Sequence, residues 1–291
     1  MSDKNEFWLH QDGEDIANNL IDYHTGWTSL SGSPFKQMWT RNYLAYYSPA
    51  ISQTSLDTSI VFEGVQGELT RFYTPKARTL IRQLTSVVTK QRMAFKAAAR
   101  TVGNEVLNEV KLANSLLDQI VSTQRLDVKG DSLCEGSLVT GSWFTKATWR
   151  TDIGEPHVRG PKGRVITTGA CEISLHSPFN VFYDLSLTWD DVPWAEVRVK
   201  RNRWDLIADF PDLENEIKAL PSVRDEKGGF SWDSVQLNQD DLVYVYEFYH
   251  KRSPALPEGK MLIYCDSNTI FYNDKNPYGT IPIEGCRDKC R

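Results

Sequence analysis

With 291 residues, 33 Lys plus Arg against 38 Asp plus Glu, 40% hydrophobic and 24% charged side chains, the chain has an ordinary globular composition, which excludes whole-chain disorder, collagen and coiled coil. A chain of this length buries about 75% of the surface its unfolded form exposes, enough for one large core or two smaller ones without a metal or disulfide staple. The formal charge of −5 argues against tight wrapping of nucleic acid, which needs a concentrated basic surface, while leaving room for loose contact with DNA.

Up to about residue 50, Trp8, Tyr23, Trp27, Phe35, Trp39, Tyr43, Tyr46 and Tyr47 recur at spacings of mostly three to four, which predicts one or two amphipathic helices broken near Ser31-Gly-Ser-Pro34. The aromatic stripe reads as helix packing. Weak alternation around Gly64 and Gly67 predicts a short hairpin over residues 60–73. Thr74 as N-cap and Pro75 at the first position then open the strongest helical stretch. Leu80, Ile81, Leu84, Val87 and Val88 share one face, and after Gly103-Asn104 so do Val106, Leu107, Val110, Ala113, Leu117 and Ile120; both faces are expected to be core. Residues 76–111 carry eight basic side chains against two acidic ones, a local charge of +6. Lys90, Arg92, Lys96 and Arg100 are the candidates for a basic surface facing a neighbour or DNA, against a plain solvated helix surface.

Beyond Gly130 the period falls from 3.6 toward 2: Trp143, Thr145, Ala147 and Trp149 alternate with Phe144, Lys146, Thr148 and Arg150, and Val165-Ile166 and Glu172 to Leu175 follow across Gly/Pro-rich turns. Ala195 to Arg201 reads as a half-buried strand. Asn202 caps a short helix ended by Pro211, and Asp212 caps another through Leu220. Residues 205–241 hold ten acidic and three basic side chains, a local charge of −7. Two more strands follow, Leu242 to His250 and Lys260 to Cys265, the latter turning through Asp266 to Thr269 into Ile270 to Tyr272. Val197, Val199, Val243 and Val245 are expected to be largely buried. The elements predict an α+β fold: residues 1–130 helical with the short hairpin, residues 131–283 mostly antiparallel β with short helices near 203–220, and a polar tail over 284–291.

The motifs that would carry chemistry are incomplete. Gly130-Asp-Ser-Leu133 looks like the nucleophile block of a serine hydrolase family, but none of His10, His24, His157, His176 and His250 follows an Asp by three positions, so Ser132 lacks its base and a turn between helix and sheet is expected instead. Gly136 to Gly141 has Walker-like spacing with Ser142 in place of the phosphate-binding Lys. Asp190-Asp191 and Asp240-Asp241 read as solvated loop pairs. No His/Asp/Glu cluster has ligand spacing, and Cys286-Arg-Asp-Lys-Cys290 has no second pair at finger spacing, so no catalytic residue, metal or cofactor is expected. Five cysteines, Cys134, Cys171, Cys265, Cys286 and Cys290, fit free thiols in a reducing compartment. No apolar stretch approaches the ~20 residues of a membrane span, and the acidic N-terminus has no apolar h-region, so no secretory signal is expected.

The order of features resembles the portal proteins of short-tailed bacteriophages, the head-to-tail connectors. It comprises the Gln37 to Tyr47 run with Arg41 among aromatics, the long helical stretch Thr74 to Gln124, the Gly-rich passage Gly136 to Lys146 into a strand, and the block Ser177-Pro-Phe-Asn-Val-Phe-Tyr-Asp184. The aromatic strand Val245 to Lys251 and Asn276-Pro-Tyr-Gly-Thr-Ile-Pro-Ile283 complete it, covering most of residues 35–283. In the block, Pro178 is expected to fix an extended start, Phe179 and Val181 to share a face, and Asp184 to end the strand; Pro277 and Tyr278 mark the last cue. The resemblance implies a non-enzymatic virion subunit with a wing-like β region, assembled in the host cytoplasm as a dodecameric ring around the channel for DNA packaging and ejection. It also implies capsid protein, terminase and a tail adaptor as partners, and double-stranded DNA bound non-specifically. Portal chains continue past the Pro-Tyr region into stem helices and a clip, so the expectation is the first part of a truncated or split portal. The alternatives are another virion protein, such as a head-tail adaptor or tail component, and a hydrolase using Ser132.

Overall fold

A computed structural model describes residues 12–28, 34–47, 76–90, 95–99, 103–159, 165–184, 187–223, 241–266 and 268–287. The hairpin expected over 60–73, the Thr74-Pro75 cap, Arg92 and Arg100 lie outside the described residues. In chain order come α1 (Gly13–Thr28), α2 (Pro34–Tyr47), α3 (Lys76–Val88), α4 (Asn104–Thr123), α5 (Leu126–Thr140), β1 (Ser142–Arg150), β2 (Pro156–Arg159), β3 (Val165–Thr167), β4 (Ala170–His176) and β5 (Val181–Tyr183). They are followed by β6 (Trp194–Asn202), α6 (Arg203–Asp209), α7 (Glu214–Ala219), β7 (Leu242–His250), β8 (Lys260–Tyr264), β9 (Ile270–Asp274) and β10 (Ile283–Arg287). The fold is α+β, with seven helices and antiparallel sheets of three and five strands among the described residues, besides the β2–β3 pair. Two compact units divide the chain discontinuously: Met1–Gln37 with His176–Gly285, and Met38–Leu175 with Cys286–Arg291.

The first unit is built on the five-stranded sheet, ordered β5-β6-β7-β8-β9. The register sets Ala195, Val197 and Val199 beside Tyr249, Glu247 and Val245, and sets Trp194, Glu196 and Arg198 beside His250, Phe248 and Tyr246. Period-2 alternation sends these two sets to opposite faces, and each face is covered. On one, Ile16, Ala17 and Leu20 of α1 pack with Trp194, Phe248, Leu262 and Tyr264. On the other, Leu206 of α6 and Ile217 of α7 pack with Val243, Val245 and Cys265. Val197, Val243 and Val245 are buried as expected, but Val199 stays half-exposed. The cause lies in the sheet edge: β5 pairs only as far as Val181 opposite Val197, so β6 runs on beyond its neighbour.

Helix punctuation follows local chemistry. The Asn202 side chain accepts from the Trp204 backbone N–H at 2.8 Å and α6 ends before Pro211, as expected. Asp212 does not cap the next helix; it lies in a 3-10 turn, Pro211–Leu213, and Leu213 precedes α7. Ser177 is extended, yet Pro178 opens a second 3-10 turn, Pro178–Asn180, before β5, so the extended start expected at Pro178 is corrected. A proline at the first helical position costs no hydrogen bond, which makes the turn as compatible with Pro178 as a strand would be.

In the second unit, α4 and α5 are separated by Arg125, whose backbone is left-handed at φ 50°, ψ 51°. Gln124 pins this corner to β4, donating to the Cys171 carbonyl at 2.8 Å and accepting from the Ile173 N–H at 3.2 Å. α5 then runs through Gly130-Asp-Ser-Leu133, where a turn was expected, and the helix-to-strand change falls at Gly141. Gly141 has φ 79°, the left-handed conformation of a helix C-terminal glycine, and its N–H donates to the Ser137 carbonyl. A Cβ on Gly136 would lie 2.5 Å from the Trp143 ring, so this glycine serves helix-strand packing rather than a phosphate. The three-stranded sheet is ordered β10-β1-β4, and β10 takes up residues 284–287 of the expected polar tail.

The principal correction concerns α3. Leu80, Leu84, Val87 and Val88, expected in a core, are 57%, 44%, 72% and 62% exposed. The half-buried residues of this helix are instead Arg78, Ile81 and Thr85, with Arg78 lying over the Tyr46 ring at 5.8 Å. On α4, Val106, Val110, Ala113, Leu117 and Ile120 are half-buried, while Leu107 is 49% exposed.

Candidate functional site

Three places on the molecule combine polar groups in a way that packing alone does not demand. The first lies between α1 and the large sheet. Trp194 and Glu196 share a face of β6, which α1 covers, so the wholly buried Glu196 carboxylate faces that helix. His24, in the last turns of α1, donates from Nε2 to Glu196 Oε2 at 2.5 Å, and Tyr264 donates from Oη to Oε1 at 2.7 Å. The imidazole stacks on Tyr246 at 4.8 Å and lies 4.3 Å from the Phe182 ring centre. Farther along β6, Arg198 lies 4.4 Å from the centre of the Tyr244 ring and donates to Asn180 Oδ1 at 3.1 Å. Burial, reinforced by the Arg198 charge, lowers the pKa of the buried Lys36 ammonium. Each carboxylate oxygen of Glu196 thus has a donor, and the arrangement fixes α1 against the sheet.

The second place is the Asn276-Pro-Tyr-Gly279 turn. Asn276 is buried and donates from Nδ2 to the carbonyls of His250, at 3.0 Å, and Thr280, at 2.9 Å, while its Oδ1 accepts from the Tyr278 N–H. Gly279 has φ 67°, a conformation that L side chains rarely adopt, and its carbonyl accepts from the Arg252 N–H at 3.2 Å. An open cavity of about 330 Å³ beside the turn is lined by Arg252, Pro257, Glu258, Lys275, Asn276 and Pro277. The turn closes the end of β7; two cations and one carboxylate at the cavity rim can hold an anion only loosely.

The third is the basic helical surface. Lys90 sits just after α3 and Lys96 on the irregular segment 95–99, both exposed. Asn114 of α4 holds that segment by accepting from the Ala97 N–H at 2.8 Å and donating to the Ala97 carbonyl at 3.4 Å.

Of the family-like residues, Pro178, Phe179 and Val181 are buried, Asp184 is half-buried at the end of β5, Pro277 is exposed, and Tyr278 lies 6.4 Å from Tyr249 between ring centres. The structure gives these residues packing and turn roles. Ser132 is exposed in mid-helix and its hydroxyl donates to the Val128 carbonyl at 3.3 Å. Among the described residues no group of three or more His, Cys, Asp or Glu could hold a metal ion, and no helix is long and apolar enough to cross a membrane. The His24–Glu196–Tyr264 network was absent from the sequence reading; its one signal is a Glu between Ala195 and Val197 in a strand otherwise read as half-buried.

Burial also sets a pH limit. It pushes the Tyr23 phenol from 10.0 to about 12 and the Cys265 thiol from 9.0 to about 12, and it holds Tyr249 and Tyr264 well above the ordinary phenol value. Each group keeps its proton more tightly folded than unfolded. The stabilisation is therefore complete below the ordinary value and is lost as pH rises, from about 9 for the thiol and about 10 for the phenols. The melting temperature is expected to fall steadily between pH 9 and 12, and less steeply in Tyr23→Phe. An unchanged melting temperature over that range would contradict the burial of these groups.

No protein-family model and no curated protein sequence matches this chain.

Proposed function

We infer that the chain is a structural subunit of a bacteriophage portal ring at the head-tail vertex, contributing to the channel complex for DNA packaging and ejection and carrying no catalytic site of its own. The observation that carries this reading is the outward-turned apolar stripe of α3. A helix that keeps Leu80, Leu84, Val87 and Val88 exposed, with Arg78, Ile81 and Thr85 half-buried, suits contact with other copies or partners. The order of features supports the same reading: aromatic helices α1 and α2, the α3–α5 helices, the Gly141 passage into β1, the Pro178 block feeding β5, and the Asn276 turn after β9. The packing and turn roles of Pro178, Phe179, Val181 and Asn276 suit a scaffold protein, and the helical hydrogen bond of Ser132 to Val128 suits a residue without a nucleophilic role.

The test is the assembly state of the purified full chain, by native mass measurement and negative-stain microscopy. Closed rings with a central channel, dodecameric by the resemblance, are the expected result. Discrete oligomers without a channel would favour an adaptor or tail component, and a strictly monomeric chain at every concentration would overturn the reading.

A further inference from the structure

The α3 stripe invites a partner, and the chain carries a surface of matching chemistry. Leu80, Leu84, Val87 and Val88 recur at i, i+4, i+7 and i+8, so they form one ridge along the helix. Exposed Lys76 and Lys90 stand at its two ends, at the start of the helix and just beyond it. In the other unit, Trp204 is 55% exposed in the first turn of α6, its indole N–H donating to Asp241 at 3.2 Å. Around it in the sequence stand the exposed carboxylates Asp205, Asp209, Asp212 and Glu216, and Glu214, which pairs with Lys218. One surface is an apolar ridge with a cationic rim; the other is an aromatic anchor with an anionic rim. Large aromatic side chains encircled by polar groups are where binding energy concentrates at protein interfaces.

We propose that the α3 ridge of one copy docks on the α6–α7 surface around Trp204 of a second copy. Three arguments select this occupant. The charge signs match, with lysines meeting Asp and Glu, which orients the approach and raises its rate. Pairing α3 with α3 of another copy would instead bring Lys76 and Lys90 near their own kind. Nucleic acid offers phosphates to the lysines but nothing to cover four aliphatic side chains. Because the two surfaces differ, the contact is heterologous: each copy offers both halves, and repetition closes a ring or extends a filament. Exposed ion pairs supply only about 0–1 kcal/mol each, so the ridge and Trp204 provide the affinity and the charges provide the register. The inference deepens the portal reading by naming the surfaces in contact, and it rests on that reading only for closure of the ring.

The experiment uses the full chain with a photo-crosslinking phenylalanine in place of Val87, alongside Leu84→Glu and a charge-swap pair. Crosslinks from position 87 are expected between copies, within residues 204–216. Leu84→Glu, at an exposed position, should weaken association about tenfold or more while leaving the melting temperature unchanged. Lys76→Glu/Lys90→Glu and Asp205→Lys/Asp209→Lys should each associate poorly, and combining all four substitutions in one chain should restore assembly. Rings whose position-87 crosslinks map elsewhere would overturn this contact and leave the portal reading standing. Crosslinks to 204–216 in open chains without rings would uphold the contact and overturn the portal reading. Crosslinks confined to a single chain at monomer mass would overturn the contact, since the ridge would then be covered from within.

Discussion

Val197→Asp is expected to unfold the first unit or lower its melting temperature by about 10 °C or more, the scale of an uncompensated buried charge of about 3–5 kcal/mol. Val197 is wholly buried at a three-strand crossing, opposite Val181 on β5 and Glu247 on β7. Glu247 is itself buried, with Oε2 accepting from the Tyr249 hydroxyl at 2.7 Å. A carboxylate at position 197 would therefore lose its water and also face a second carboxylate across the ladder, where like charges repel at short range. Val199→Asp is the internal control. Its side chain is half-exposed and opposite Val245, so about 1 kcal/mol is expected, near the centre of ordinary point substitutions. Thermal melts of the two variants check the register: equal losses, or a larger loss at position 199, would show that β6 is paired otherwise.

This contrast also marks how far the sequence could be read. Alternation along β6 and β7 separates Val243 and Val245 from Tyr246 and Phe248 without any structure, because a period of two leaves only two faces. It cannot say how long the neighbouring strand is, and that length decides the difference between Val197 and Val199. Punctuation was legible where a residue type has one strong use: Asn202 as a cap, Pro211 as a stop, and Pro34 as the first residue of α2. It misled at Gly130-Asp-Ser-Leu133, whose residues favour turns in isolation but lie inside α5, with Asp131 and Ser132 exposed and Gly130 and Leu133 half-buried. The amphipathicity of α3 was plain from its spacing, whereas the direction in which it points was not. A stripe of Leu and Val specifies a need for cover and leaves open whether the same chain provides it. Among the candidate site residues, Lys90 and Lys96 are exposed, while the Pro178 and Asn276 motifs turn out to owe their residue types to a 3-10 turn and a buried amide.

The His24–Glu196 pair was beyond reach for a further reason: 172 positions separate two residues that are unremarkable alone, and only the docking of α1 across β6 joins them. Removing one partner should be costly. In His24→Ala the Glu196 carboxylate, wholly buried in the wild type, keeps the Tyr264 hydroxyl but loses the imidazole, and breaking a buried pair from one side costs about 3–5 kcal/mol. Glu196→Gln separates charge from hydrogen bonding. Its amide oxygen can still accept from Tyr264 and its amide nitrogen can donate to the His24 ring, so a loss of about 1 kcal/mol, the net worth of an ordinary hydrogen bond, is expected. Because His24 also stacks on Tyr246 and Phe182, His24→Phe should recover part of the packing lost in His24→Ala but none of the pairing. The order of melting temperatures should be wild type, Glu196→Gln, His24→Phe, His24→Ala, with hydrogen exchange rising first along α1. If His24→Ala melts with the wild type, or if exchange rises in β7 while α1 stays protected, the pair does not hold α1 to the sheet.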